Sequence, residues 1–214
     1  MLDVALVTCH TLPEPDLDAA PLAAALSAAG LSNATVAWDA PDASAVDARL
    51  TVFRSCWNYP QHREAFLDWA VAHDGRTSLW NPLAAVRWNT HKRYLVELGG
   101  RGLPVTPTSL LPRGSEATLR SVLDERGWDD VVVTPAVSAA SFRTRRVRRD
   151  ELEDGELHLR RLVADGDTLI QAYLPSVEGY GERALVWIDG ELTHAVRKSP
   201  RFEGQDESVS SEAV

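Results

Sequence analysis

The sequence alternates short apolar runs with helix-patterned stretches, and it does so twice, with a proline-marked break between the two series. "VALVTC" at residues 4–9 is a continuous apolar run, the mark of a strand buried on both faces. Asp18 then precedes "AAPLAAALSAAG", a helical stretch that Gly30 stops. "ATVAW" at 34–38 and "RLTVFR" at 49–54 read as the second and third strands. In "REAFLDWAVAHDG", Phe66, Trp69 and Ala70 share a helical face, and Gly75 ends it. Strands alternating with helices favour a parallel sheet covered by helices.

Asn81-Pro82 breaks the chain. Thr90 is the expected N-cap of a helix carrying Lys92, Tyr94, Leu95 and Leu98, stopped by Gly99, Gly100 and Gly102. "PVTPTSLLP" at 104–112 reads as an extended crossing segment. The second alternation follows. Ser115 is the expected cap of "EATLRSVLDERG"; "DVVVTPAV" and "TRRVRR" are strands; "DELEDGELHLRRLVADG" is a helix that Gly155 weakens. "TLIQAYLP" is a strand, and "RALVWIDGELTHAVRK" is a hairpin turning at Asp189-Gly190. From residue 199 the chain is polar and aperiodic, the signature of a disordered tail.

Composition excludes several functions. The 214 residues, 44% hydrophobic and 25% charged, are enough for a real core, and a formal charge of −9 disfavours sequence-independent nucleic-acid binding. Cys9 and Cys56 are too few and too far apart for a disulfide framework or zinc motif, and fit two buried thiols. The N-terminus lacks a signal-peptide pattern and no apolar run approaches a membrane span, so a cytoplasmic location without membrane or nucleic-acid partners is expected. No G-x-S-x-G, Walker loop or G-x-G-x-x-G is present, and the histidines lack metal spacing.

What remains is spread along the second half. It comprises Lys92 after the break, the strand and small-residue loop at 131–142, "IQAYLP" at 170–175 and "GERALVW" at 181–187. With "RSCWNYP", "LWNP…VRWNTHKRYL", "PVTPT" and "HAVRKSP", in this order through almost the whole chain, the sequence resembles the ATP-grasp superfamily. More narrowly it is similar to the actinobacterial proteins that resemble glutathione synthetase, ribosomal-protein glutamate ligases and the cycloserine-forming ligase. The implied fold class is α/β (α+β), a Rossmann-like N-terminal unit followed by an incomplete ATP-grasp module. The expected divisions are residues 1–80 for the N-terminal domain, 81–112 for a linker helix and crossing segment, 113–167 for a lid, 168–198 for an incomplete C-terminal subdomain and 199–214 for the tail.

The resemblance also implies roles. Lys92 places a point charge on phosphate. Thr134 and Ser138 stand in the strand and loop facing the phosphates. Gln171, Ala172, Tyr173 and Leu174 form the adenine hinge, and Glu182, with Glu178 as its rival, accepts hydrogen bonds from the ribose hydroxyls. Arg197 and Lys198 are cations near the triphosphate or acyl phosphate. Arg54, Ser55, Trp57 and Tyr59 follow a strand's C-terminal end and are expected to hold the carboxylate substrate, with Arg54 as a fork-shaped partner. ATP is the implied cosubstrate, with small-molecule carboxylate and amine substrates; a homo-oligomer is left open. The chain departs from the family at Thr134, where a lysine is usual, and at Ala139, Ala140 and Ser141, where glycines are usual. The basic run 143–149 is expected to be a solvated strand face. The family's acidic segment that binds magnesium has no counterpart before residue 214. The implied function is an ATP-dependent carboxylate–amine ligase acting through an acyl phosphate, with an impaired phosphate site. The alternative is a non-catalytic nucleotide- or small-acid-binding protein or partner subunit.

Overall fold

A computed structural model describes residues 1–41 and 46–198; the expected disordered tail lies outside the described residues. The fold is mixed α/β, with one parallel sheet and two antiparallel ones. The chain divides into two compact units. Among the described residues one gathers Met1–Glu97 with Ala136–Ala140, the other Leu98–Pro135 with Ser141–Lys198.

The first unit is built on a parallel sheet of β1 (Leu2–Thr8), β2 (Asn33–Ala37), β3 (Ala48–Ser55) and β4 (Ser78–Trp80), in the order β2-β1-β3-β4. β1 is central, and Val4, Ala5, Leu6 and Val7 are all buried, as the unbroken apolar run requires. Helix α1 (Ala19–Ala28) leads from β1 to β2 and α2 (Arg63–His73) from β3 to β4. α2 buries Phe66, Ala70 and His73, one stripe of an amphipathic helix. Phe66 meets Trp38 and Phe53 edge-on, with centroids 5.2 and 5.4 Å away, over a core of Val7, Cys9, Cys56 and Val86. Both thiols are buried and free, and burial pushes Cys56 up to about 12.

Two helices of seven residues each follow, α3 (Leu83–Asn89) and α4 (Tyr94–Gly100). Thr90 is therefore not an N-cap. It closes the C-terminus of α3, where its hydroxyl accepts from Arg63 Nε at 3.1 Å. Lys92 is not on a helix; it sits in the turn between the two.

The second unit carries β5 (Thr108–Leu111), β6 (Asp130–Pro135), β7 (Arg145–Arg148) and β8 (Thr168–Ala172) in an antiparallel sheet, order β5-β8-β6-β7. Helices α5 (Leu119–Arg126) and α6 (Leu152–Asp165) pack on one face. The crossing segment thus contains an edge strand, β5, paired to β8, and the strand starting at Thr168 pairs with both β5 and β6. Thr118, not Ser115, caps α5: its Oγ1 accepts the Ser121 N–H at 3.0 Å, and Ser121 Oγ accepts the Thr118 N–H. α6 buries Gly155, Leu159, Leu162 and Val163 against Leu119, Val131, Val133, Val147 and Ile170. Gly155 is required there, because a Cβ would collide with Val147 Cγ1 and come within 2.8 Å of Leu119 Cδ2.

After the short helix α7 (Ser176–Tyr180), β9 (Glu182–Ile188) and β10 (Glu191–Lys198) form a separate antiparallel pair. Asp189 and Gly190, with φ of 51° and 81°, supply the two left-handed residues of a tight hairpin. Leu185, Trp187, Ile188 and Leu192 are exposed on it. No helix among the described residues is long and apolar enough to cross a membrane.

Candidate functional site

The strand period of two divides the second unit's sheet. Val131, Val133, Val147 and Ile170 point into the helical core. The register then sets Val132 beside Arg146 on one side and Gln171 on the other, with Gln171 opposite Thr108. On this second face Arg146 is the centre of a dense polar cluster. Its Nε and Nη2 hold Asp130 at 3.0 and 2.6 Å, its Nη1 donates to Glu178, and its guanidinium lies 3.6 Å from the Tyr173 ring centroid. The Tyr173 hydroxyl donates to Glu178 at 2.8 Å, and the Tyr173 N–H donates to the Asp130 carbonyl at 2.9 Å. Hydrogen bonds from Tyr173 and Arg146 hold the Glu178 carboxyl below its usual range, and burial raises the Tyr173 phenol.

The expected hinge is thereby tied down at several points. Gln171 Nε2 donates to Thr108 Oγ1 at 3.0 Å, the Ala172 N–H donates to the Pro107 carbonyl, and the Leu174 carbonyl accepts the Val177 N–H. Leu174 is half exposed and Tyr173 buried. Glu178, one of the two ribose candidates, is occupied by Arg146 and Tyr173. Glu182, the other, starts β9 with an exposed side chain, opposite Lys198 in register. Arg197 is exposed on β10, opposite Arg183.

The basic run departs from a uniformly solvated strand face. Arg143 pairs with Asp165, Arg145 with Asp154, and Arg149 with Asp124 and Asp129, while Arg146 is enclosed as described. Thr134 is buried, and its hydroxyl lies 2.8 Å from that of Thr144. Ser138 is buried as well. Ala140 and Ser141, at positions where the resemblance implies glycines, adopt φ of 50° and 59°. These left-handed conformations cost a residue with a Cβ about 1–2 kcal/mol each, so the loop keeps a glycine-type backbone without the glycines.

In the first unit, Lys92 is anchored through its backbone, the N–H donating to the Ala136 carbonyl at 2.8 Å, and burial pushes its ammonium down to about 8. Arg54, Ser55, Trp57 and Tyr59 gather at or beyond the C-terminal end of β3. There Asp16, from the loop after β1, is the unforeseen member. Ser55 Oγ donates to Asp16 Oδ2, the Asp18 N–H reaches Oδ1 at 3.1 Å, and Arg54 Nη2 stands 3.3 and 3.4 Å from the two oxygens. The hydrogen bond from Ser55 holds Asp16 below the usual carboxylate range. Trp57 is 48% exposed; Tyr59 packs on Phe66 with centroids 5.8 Å apart, and burial raises its phenol. Nothing in the sequence pairs Asp16 with Arg54, 38 residues away. Arg146 is equally hidden, because a strand of alternating arginines reads the same whether its partners are water or carboxylates. Among the described residues no group of three or more His, Cys, Asp or Glu side chains could hold a metal ion.

Comparison with known proteins gives this arrangement its relatives. Residues 4–81 match the family model described as the D-cycloserine synthetase DcsG N-terminal domain. The cycloserine biosynthesis protein DcsG of Streptomyces lavendulae is 32% identical over 199 residues, covering 91% of this chain and 67% of that protein. The crystal structure of D-cycloserine synthetase DcsG superposes with a TM-score of 0.85 at 32% identity, over 92% of this chain and 67% of that one. A RimK domain ATP-grasp protein from Sphaerobacter thermophilus has a TM-score of 0.64 at 21% identity, over 86% of this chain and 68% of that one, a likeness of fold alone. The chain belongs to the DcsG family of ATP-grasp proteins.

Proposed function

We propose that the chain binds an adenine nucleotide at the 171–174 hinge and grips its phosphates weakly, within the framework of a carboxylate–amine ligase. In that chemistry ATP transfers its terminal phosphoryl group to a substrate carboxylate and leaves as ADP. An amine nitrogen then attacks the acyl carbon, and phosphate departs. Arg54, Ser55, Trp57 and Tyr59 are the proposed carboxylate residues, and Glu182 the proposed ribose acceptor. Magnesium is assigned no ligands, since the described residues contain no cluster of three or more His, Cys, Asp or Glu side chains able to hold a metal ion. The observation that supports the weak grip is Thr134, buried and hydrogen-bonded to Thr144, at a position where the resemblance implies a lysine.

Calorimetry with ATP and AMP on the parent and on Thr134→Lys tests this. A restored charge-assisted contact is worth about 1.5–3 kcal/mol, so the variant should bind ATP about tenfold to a hundredfold tighter while AMP changes little. A parent that already binds ATP far more tightly than AMP would refute the weak grip. The same site supports a second reading, a nucleotide-binding protein without turnover, and Thr134 favours it. Phosphate release with amino-acid and hydroxylamine acceptors separates the two: turnover by the parent supports the ligase, and its absence alongside nucleotide binding supports the second reading.

A further inference from the structure

The hairpin of β9 and β10 leaves one of its faces open. Among the described residues the two strands pair only with each other. A lone pair of strands is marginally stable in water and gains stability when a face is packed. The register sets Trp187 opposite Leu192, Leu185 opposite Ala195 and Arg183 opposite Arg197, so these six side chains share one face. On the other face Ala184 and Val186 are half-buried. On the first, Leu185 and Trp187 are 59% and 61% exposed and Leu192 is 51% exposed. An exposed apolar patch rimmed by charge is the mark of an association surface.

The charges of the hairpin select what covers it. Its open end carries Arg183 and Arg197 side by side; its turn end carries Asp189, with Glu191 at the rim. Val186 and His194 face each other in register at mid-length. Arg183 and Asp189 stand three residues either side of Val186, and Arg197 and Glu191 three either side of His194. A second copy laid face to face and antiparallel therefore has its two-fold axis at the level of Val186 and His194. Each basic end then meets an acidic turn, and Leu185 of each copy meets Trp187 of the other. Parallel stacking would set like charges together. A surface that complements itself under a two-fold rotation is what a closed dimer requires. We propose that two copies of this chain associate through the Leu185, Trp187 and Leu192 face of the β9–β10 hairpin, antiparallel, with apolar contact at the centre and arginine–carboxylate attraction at both ends. The formal charge of −9 sets copies against each other elsewhere on the surface, and the basic end of the hairpin offsets it at this face.

Sedimentation velocity on the full chain over a range of concentrations tests this. The parent should form a dimer that dissociates on dilution. Leu185→Ser and Trp187→Ser, both at exposed positions, should each weaken it about tenfold or more. Arg197→Glu should weaken it as well, and raising salt from about 0.05 M to about 0.5 M should weaken the parent dimer, because the attraction at the two ends is screened. A parent that is monomeric at about 0.1 mM overturns the proposal. A dimer that survives both serine variants lies on another surface and overturns it too. Open-ended aggregation in place of a closed dimer, or association that strengthens with salt, is unspecific apolar contact and overturns it equally. Should a variant fail to fold by circular dichroism, hydrogen exchange of the parent decides: amides of residues 183–197 protected more at high concentration than at low support the contact, and protection independent of concentration refutes it.

Discussion

Lys92 allows a quantitative test of how this fold handles a buried charge. Burial pushes its ammonium from 10.5 down to about 8. Between those two values the unfolded chain binds a proton that the folded one does not. Stability therefore rises with pH across this window, and below about pH 8 the folded state carries the net cost of keeping this partly buried amine charged. At 1.36 kcal/mol per pH unit the penalty is about 3 kcal/mol. Lys92→Met keeps an apolar stem of similar length and removes the charge. It is expected to stabilise the protein by about 3 kcal/mol at pH 7, with the difference fading toward pH 10.5. Denaturant unfolding of parent and variant in steps over that range measures it, and groups common to both cancel. A variant no more stable at pH 7, or a difference that does not change with pH, would refute the reasoning. In the proposed role the charge serves phosphate, so ATP affinity of the parent should fall above pH 8 and that of the variant should be low throughout.

Two further perturbations follow from the backbone. Gly155→Ala gains about 1 kcal/mol of helix propensity but forces a methyl against Val147 and Leu119, an overpacking that costs about 1–3 kcal/mol. A net loss of melting temperature is expected, and pairing it with Val147→Ala should cost less than the sum of the two changes, as thermal unfolding of the single and double variants would reveal. Ala140→Gly and Ser141→Gly relieve left-handed strain, offset by the greater freedom of glycine in the unfolded chain, and each should raise stability by up to about 1 kcal/mol. A loss of stability in both would show that the loop is not strained.

The parts of the fold that were legible in the sequence are those decided by local pattern. The buried run of β1, the Asp189-Gly190 hairpin and the interrupted but amphipathic α6 follow from residues next to each other. The misread points were decided by competition between neighbours. Ser115 and Thr118 are both acceptable caps; Thr118 caps because Ser121 stands three residues on to complete a capping box, with Ser121 in place of the usual acid. Thr90 looked like a helix start because the seven residues before it, opening just after Pro82 and ending in asparagine, hide α3. The proline-rich stretch concealed β5, since an edge strand tolerates prolines at both ends. In the candidate site, Asp16 and Arg146 gain their meaning only from partners distant in the chain, and no periodicity records such a pairing.

The position of β5 at the sheet edge also sets an order of events during synthesis. The β6–β7 connection brings Thr134 to Thr144 across ten residues, whereas β5 meets β8 through Thr108 and Gln171, 63 residues apart. Closing the longer loop costs about 1.6 kcal/mol more in chain entropy, so β6, β7 and α6 can assemble while β5 is still waiting for a partner. At ribosomal rates of about 5–20 residues per second, that wait is roughly 3–13 s. An unpaired apolar strand exposed for so long invites pairing with other chains. Pro107 and Pro112 bracket the "TSLL" of β5 and withhold two of the N–H groups such pairing would use. The prolines that disguise this strand in the sequence are thus positioned to guard it on the ribosome.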